Sequence, residues 1–472
     1  MKIKCSVFFM ALFLIFPIAS LGLTVTTSSQ DDQIAITVTI YNNNLALVNE
    51  IRRIEIPADE GELRFVDVPS HIIPASVQVK PVDNEREFHI VEQNYEYDLL
   101  NEGTLLDKYV GKKIKIVDWN KYKDRKEVTE AVLLSNNKGQ IYKIGNEIFL
   151  GHPGYKVLPG VPEGLIEKPT LKWVYKSSGN EESYDLNVCY LTKNMSWKSD
   201  YVLVLDEDNT SGDMSGKVTL DNKSGVTFEN SLLKLVAGKV HQVESGLEDR
   251  LYAKRAIREE DSVQFKEKSF FEYHVYDLKR KTTIKDKQTK QINLFQSRDL
   301  SVGKELLVYG SKGYFTRRYI GQKIRQPVNV YIKLKNSKEN NLGMPLPAGT
   351  VRLYKGDDKG MVFLGEDRIK HIPEGEEVRL KAGEAFDVFA ERIQTDYKQT
   401  ATRLHESAWE ITLRNHKEKD INIGIIEPLF GNWSVVSSTH TFKKIDAFTI
   451  RFDVVVPMNK EVKVKYRAKV GL

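Results

Sequence analysis

Cysteine is almost missing from this chain: Cys5 and Cys189 are the only two in 472 residues. That excludes a disulfide framework, so the fold must rest on its apolar core. An excess of one charge is missing too. The 70 Lys and Arg stand against 65 Asp and Glu, a formal charge of +5. A dedicated nucleic-acid binder would concentrate basic charge, and this balance argues against one. Histidine is scarce, and His71, His89, His152, His241, His274, His371, His405, His416 and His440 form no HxH or HExxH pair. No compact metal-ligand motif is therefore present. The phosphate-cradling GxxxxGK[ST] loop and the GxSxG elbow are also missing, which removes the signatures of two large enzyme classes. After the N-terminal stretch, no run is long and apolar enough to cross a bilayer.

What is present begins with an export signal. Lys2 and Lys4 form a basic end, an apolar stretch runs to Phe16, and "FPIASLG" brings small residues. Ser20 and Gly22 fit a small-x-small cleavage site, so residues 1–22 read as a signal peptide and the mature chain starts near Leu23. The alternative is a membrane anchor, but Pro17 and Ser20 interrupt the stretch. Cleavage removes Cys5, leaves Cys189 alone, and predicts a periplasmic, extracellular or cell-envelope location without a transmembrane segment. "NMS", "NTS", "NKS" and "NWS" match the glycosylation acceptor pattern, which matters only in a eukaryotic secretory route.

Period-two alternation dominates the remainder. In "TIRFDVVVP" Ile450, Phe452, Val454 and Val456 share a face; in "EVKVKYRAKV" Val462, Val464, Tyr466 and Ala468 do so. Such strands bury one face and wet the other, as in antiparallel sheets. "PADEG", "KGDDKG", "IPEGEE" and "NNKG" supply turns. "VTLDNKSG", "IKLKNSKENN" and "ITLRNHKEKD" each end an alternating strand in Asn (Asn222, Asn336, Asn415) before a polar turn. Asn suits the left-handed backbone such turns need. At that length the chain exceeds one core. The fold class expected is all-β: multidomain antiparallel β-sandwiches with a small inserted SH3/Sm-like barrel. Residues 31–100 plus 163–240 would form the first sandwich and 290–472 the second, with 241–289 as a charged connector. The barrel would be 101–162, where "LLDKYVGKKIKIVDWN" gives a helical turn and a strand, and short strands follow.

Seven stretches carry a family resemblance: "ITVTIYNNNLALVNEIR", "VEQNYEYDLL", "SWKSDY", "NKSGVTFENSLLKLVAG", "KQTKQINL", "PLPAGTVRLYKGDDKG" and "FLGEDRIKHIPEGEEVRLKAGEAFDV". Across most of the mature chain the sequence resembles a group of exported bacterial proteins. Their C-terminal domain, of unknown function, is shared with the mucoidy inhibitor A family. The longer coiled-coil-like helices of mucoidy inhibitor A have no counterpart here. The resemblance implies a β-rich exported protein and supplies no catalytic residue.

Local chemistry is sparse. "GEDRIKH" offers Glu366, Asp367 and His371, a set suited to acid–base work. On a strand, however, Glu366 points away from the other two, and a hairpin end with surface charges explains them better. "KGDDKG" lacks the alternating ligands and distal Glu of a calcium loop. Cys189 has no neighbouring histidine and lies opposite Tyr184, Leu186, Val188 and Tyr190, as a small packing residue would. Within "SWKSDYVLVL", Trp197 is expected to cap a core edge. It opens the strand "DYVLVL", apolar on both faces from Val202 to Leu205; Asp200 is expected to bond backbone or a lysine at the strand entrance, and Tyr201 belongs to the same stretch. With Asn222 and Gly225 of "NKSG" these residues make a structural motif. No catalytic residue, cofactor or metal ligand is expected. The reading is a non-enzymatic interaction or structural protein of the envelope, its partner a protein or glycan. The alternatives are an envelope hydrolase acting on glycan or peptide and a carbohydrate-binding protein using Trp119 and Trp433.

Overall fold

Alternation becomes strand throughout. The computed structural model describes residues 24–57, 59–83, 87–120, 123–162, 164–177, 182–238, 265–270, 273–357 and 360–471. Strand makes up 68% of it and forms four sheets. Among the described residues the one α-helix is Glu102–Tyr109. The cleavage site at Gly22 and residues 241–264 of the expected connector lie outside the described residues; strands Phe265–Phe270, Tyr273–Leu278 and Thr282–Ile284 follow. No described helix is long and apolar enough to cross a membrane.

The chain divides into two compact units. The first holds the residues up to Thr37, Leu47–Thr192 and Ser224–Val226; the second holds Val38–Ala46, Lys193–Lys223 and everything from Thr227.

In the first unit, Thr24–Ser28, Glu60–Phe65, Thr170–Ser177 and Phe88–Glu96 lie side by side in that order. Phe65, Leu171, Trp173 and Tyr175 are fully buried there, and Trp173 Nε1 donates to Gln93 Oε1 at 2.9 Å. A separate five-stranded sheet follows the order Glu147–Leu150, Ile141–Ile144, Arg125–Ser135, Lys113–Asn120, Tyr155–Val157. Its end strands have only four and three residues and do not pair with each other, and no closed barrel is found. The helix covers one face. Leu106 and Tyr109 pack with Ile114, Ile116, Ala131, Leu133 and Tyr142, and Asn101 caps it by accepting from Thr104 N at 3.1 Å.

The second unit is built around two long strands, Gln288–Tyr309 and Glu377–Ala401, of 22 and 25 residues. Residues 288–301 pair with Ser211–Asn222, while 302–309 pair with Lys323–Lys335 and Ile421–Pro428. The core between them includes Val308, Phe315, Trp409, Ile411, Ile425, Phe452 and Tyr466. Ile450, Phe452, Val454 and Val456 are all buried, as their alternation requires.

The five-stranded sheet is antiparallel throughout, but the four-stranded and the thirteen-stranded sheets are mixed. Thr24–Ser28 runs parallel to Glu60–Phe65, Met195–Leu205 to Gly349–Asp357, and Gln288–Tyr309 to Ile421–Pro428. Each pair joins strands far apart in sequence, where no hairpin dictates direction. The three strand-ending asparagines also differ from expectation. None takes a left-handed backbone; that is left to Asn44, Asn194, Asn209, Asn230, Asn341 and Asn459. Asn222, Asn336 and Asn415 are buried instead. Asn336 Nδ2 donates to the carbonyls of Met344 and Pro373 at 2.7 and 2.9 Å. Asn415 Nδ2 reaches those of Lys419 and Val456 at 2.8 and 3.1 Å. A carboxamide can satisfy several loop carbonyls and amides at once, which a buried loop needs.

Candidate functional site: two solvent-facing sheet surfaces

The strand Met195–Leu205 opens on Trp197 and lies between Ser211–Asn222 and Gly349–Asp357. Its flanks explain why Val202 to Leu205 are apolar on both faces. Trp197 is buried rather than capping an edge. Its Nε1 donates to Val236 O at 3.1 Å, and its ring meets Tyr276 edge-on at 6.2 Å. Tyr201 is fully buried and donates to Pro347 O at 2.7 Å; burial pushes its phenol well above the usual range. Asn222 Nδ2 donates to Ile284 O at 3.2 Å. In the first unit Gly225 sits at φ +94°, and a Cβ there would collide with the Ser70 hydroxyl. Only glycine meets both demands.

Asp200 bonds neither backbone nor lysine, contrary to expectation. It accepts from Thr219 Oγ1 at 2.8 Å and from Arg352 Nη1 at 3.4 Å. The chain of contacts continues outward: Gln291 Nε2 donates to Thr219 Oγ1 at 3.2 Å, and Arg352 Nε meets Glu366 at 3.3 Å. One polar row thus crosses five strands of the large sheet, from Gln291 to Glu366. It borders a shallow depression of about 450 Å³ that Lys198 and Arg368 also line. Strand direction, not sequence proximity, brings Arg352 to Asp200.

The other polar candidates do not converge. Glu366 is engaged by Arg352. Asp367 accepts from the backbone of Arg368 and Lys381, both at 2.8 Å. The strand ends at Ile369, and His371 Nδ1 accepts from Ala348 N at 3.2 Å. Burial and His274 lower its pKa. Cys189 is half-buried, opposite the buried Tyr184, Leu186, Val188 and Tyr190, and its partial burial raises the thiol pKa. A raised pKa makes a poor nucleophile. Among the described residues no three His, Cys, Asp or Glu gather as a metal cage. Trp433 is half-buried, its Nε1 donating to Ala447 O at 2.8 Å.

Sequence reasoning missed two buried ionic networks. In the first unit Glu50 accepts from Arg52 Nε at 3.0 Å and from Tyr190 at 2.9 Å. Arg52 also donates to Ser28 O and Val66 O and stacks 3.6 Å from the Phe65 ring centroid. In the second unit Arg392 bonds Glu427, Tyr466 at 3.1 Å and Gln326 at 3.0 Å, with Tyr314 and Trp409 beside its guanidinium. Burial raises the Glu427 carboxyl pKa against the pull of Arg392. Both networks are sealed from solvent and tie strands together. Their signal was parity: Glu50 and Arg52 share the face of Val48, Ile54 and Ile56.

The second open surface is the helix-free face of the five-stranded sheet. Cross-strand register defines it row by row. Tyr155, Val117 and Val128 form one row; Val157, Lys115 and Glu130 the next. Lys113, Val132, Lys143 and Ile148 form a third, and Ile141 with Leu150 a fourth. Trp119 stands opposite Lys126 beyond the first. Exposure is high: Trp119 58%, Ile148 65%, Tyr155 82% and Leu150 84%. Four lysines share this face with a single acid, Glu130, and among the described residues none of the four is ion-paired. The face is therefore apolar, aromatic at one end and cationic, about 20 Å across five strands.

Comparison with protein-family models finds no match, and comparison with curated proteins finds none either.

Proposed function

We propose that this is a non-enzymatic interaction or structural protein of the cell envelope, acting through the open face of the five-stranded sheet. The observation that carries the reading is that exposed Trp119 and Tyr155 toward one end and exposed Ile148 and Leu150 toward the other share one sheet face with unpaired lysines. Exposed apolar patches of this kind mark interaction surfaces. The finer architecture belongs to the same proposal: sheets stacked as sandwiches, with residues 101–162 as an SH3/Sm-like module that presents the face. Exported location and kinship with the mucoidy inhibitor A group are part of it too, supported by the N-terminal pattern and the quoted stretches.

A hydrolase would need paired carboxyl groups in an open cleft. Among the described residues the carboxyl with a raised pKa, Glu427, is sealed, so the interaction reading is favoured. The test is affinity capture from envelope extract, with proteins and glycans both identified, using the full chain and its Ile148→Asp/Leu150→Asp variant. The reading expects the variant to lose what the parent captures. Equal capture by both contradicts it.

A further inference from the structure

We infer that the occupant of this face is an anionic lipid bilayer surface, which rests on the interaction reading above. Three features select it. The first is shape. The face is an open sheet surface, and the shallow depressions beside Asp200 and beside Lys335 are lined by residues of other strands. A partner that recognises single anchor side chains or sugar rings needs pockets or several directional polar groups, and across its central rows this face supplies only lysines, Glu130 and the Tyr155 hydroxyl.

The second feature is how the apolar groups are spread. Trp119 and Tyr155 stand toward one end, and Ile148 and Leu150 toward the other. A sugar platform would gather its aromatics and dispense with the aliphatics. A bilayer interface takes both, because indole and phenol settle at headgroup depth while aliphatic tips enter the acyl boundary. The third is charge. Lys113, Lys115, Lys126 and Lys143 rise from the same face. Lysine stems lie along apolar surface and carry the ammonium outward, where anionic headgroups attract each one.

The test is co-sedimentation of the full chain with vesicles of phosphatidylcholine alone and vesicles with about a third phosphatidylglycerol. Parent and variants share the apolar N-terminal stretch, so the difference between them reports the sheet face. Binding should favour the anionic vesicles at least about tenfold and weaken as salt rises. Ile148→Asp/Leu150→Asp should lower it about tenfold or more, while Val455→Asp, an exposed position on another strand, should not. Tryptophan emission gives a second readout. Trp173, Trp197 and Trp409 are buried and Trp433 half-buried, so a blue shift on binding should vanish in Trp119→Phe. Binding that ignores lipid charge, or is unchanged in the double variant, overturns the inference. If vesicles are ignored while that variant still loses capture of an envelope protein or glycan, the bilayer is the wrong occupant and the interaction reading stands. If the variant changes neither assay, both fall.

Discussion

The large sheet around Asp200 and the five-stranded sheet beyond Trp119 both turn a face to water, and they differ in how their side chains are answered. On the first, Asp200 is met by Thr219 and Arg352, and Arg352 by Glu366. Charge there is cancelled by charge of the same sheet. On the second, four lysines face one glutamate, and large apolar side chains stand in solvent. Exposed polar ladders add little net stability, because water serves their groups nearly as well. Exposed apolar surface is left unburied at a cost, and a patch of it needs an external reason. A surface rich in polar residues thus drew attention in the sequence, while the one with unmet demands is the plainer stretch of short strands.

The largest effect expected lies beneath the first surface. Trp197→Ala should cost about 3–5 kcal/mol, since the indole is buried and hydrogen-bonded. The unfolding midpoint in denaturant should fall, with envelope capture per folded molecule unchanged. Lost capture at unchanged stability would make the strand entrance a binding site.

A smaller effect separates the ladder from a site. Asp200→Ala should cost about 0.5–1.5 kcal/mol, as Thr219 and Arg352 turn to water and Glu366. Calorimetry of the variant checks this, and a stability rise would mean that the carboxylate is held there for a ligand.

Acid should produce the mildest effect. Arg467 holds the Asp396 and Glu406 carboxyls below their usual range, and Lys465 does so for Glu410. A folded pKa below the unfolded one contributes stability present above about pH 4 and lost as pH falls through the lowered values. The carboxylates are half-buried at the sheet surface, so salt weakens the effect without abolishing it. Thermal midpoints of the second unit should therefore be flat from neutrality to about pH 5 and fall below about pH 4, less steeply in Arg467→Met. An acid limb unchanged by that substitution removes these pairs from the account.

Strands were legible because alternation is a local property. Ile450, Phe452, Val454 and Val456 needed no partner to declare their face. Parity also held information that was passed over. Val218 and Leu220 share a face with Asn222, Ile332 and Leu334 with Asn336, and Ile411 and Leu413 with Asn415. Each asparagine stands two residues past a buried side chain and is buried too, which composition alone assigned to a turn. Register was not legible. Nothing local says that Tyr155 stands beside Val117, or that Arg352 reaches Asp200 across a parallel pair. The open face exists only once five short strands are aligned, so Trp119 is legible singly and its companions are not.

Lysine footprinting compares the two surfaces in one experiment. The full chain is acetylated with and without envelope fraction, and each lysine's modification is read by mass spectrometry. The account predicts that Lys113, Lys115, Lys126 and Lys143 become protected while Lys198, beside Asp200, reacts as before. Protection of Lys198 with the other four unchanged would contradict it and move the binding surface to the large sheet.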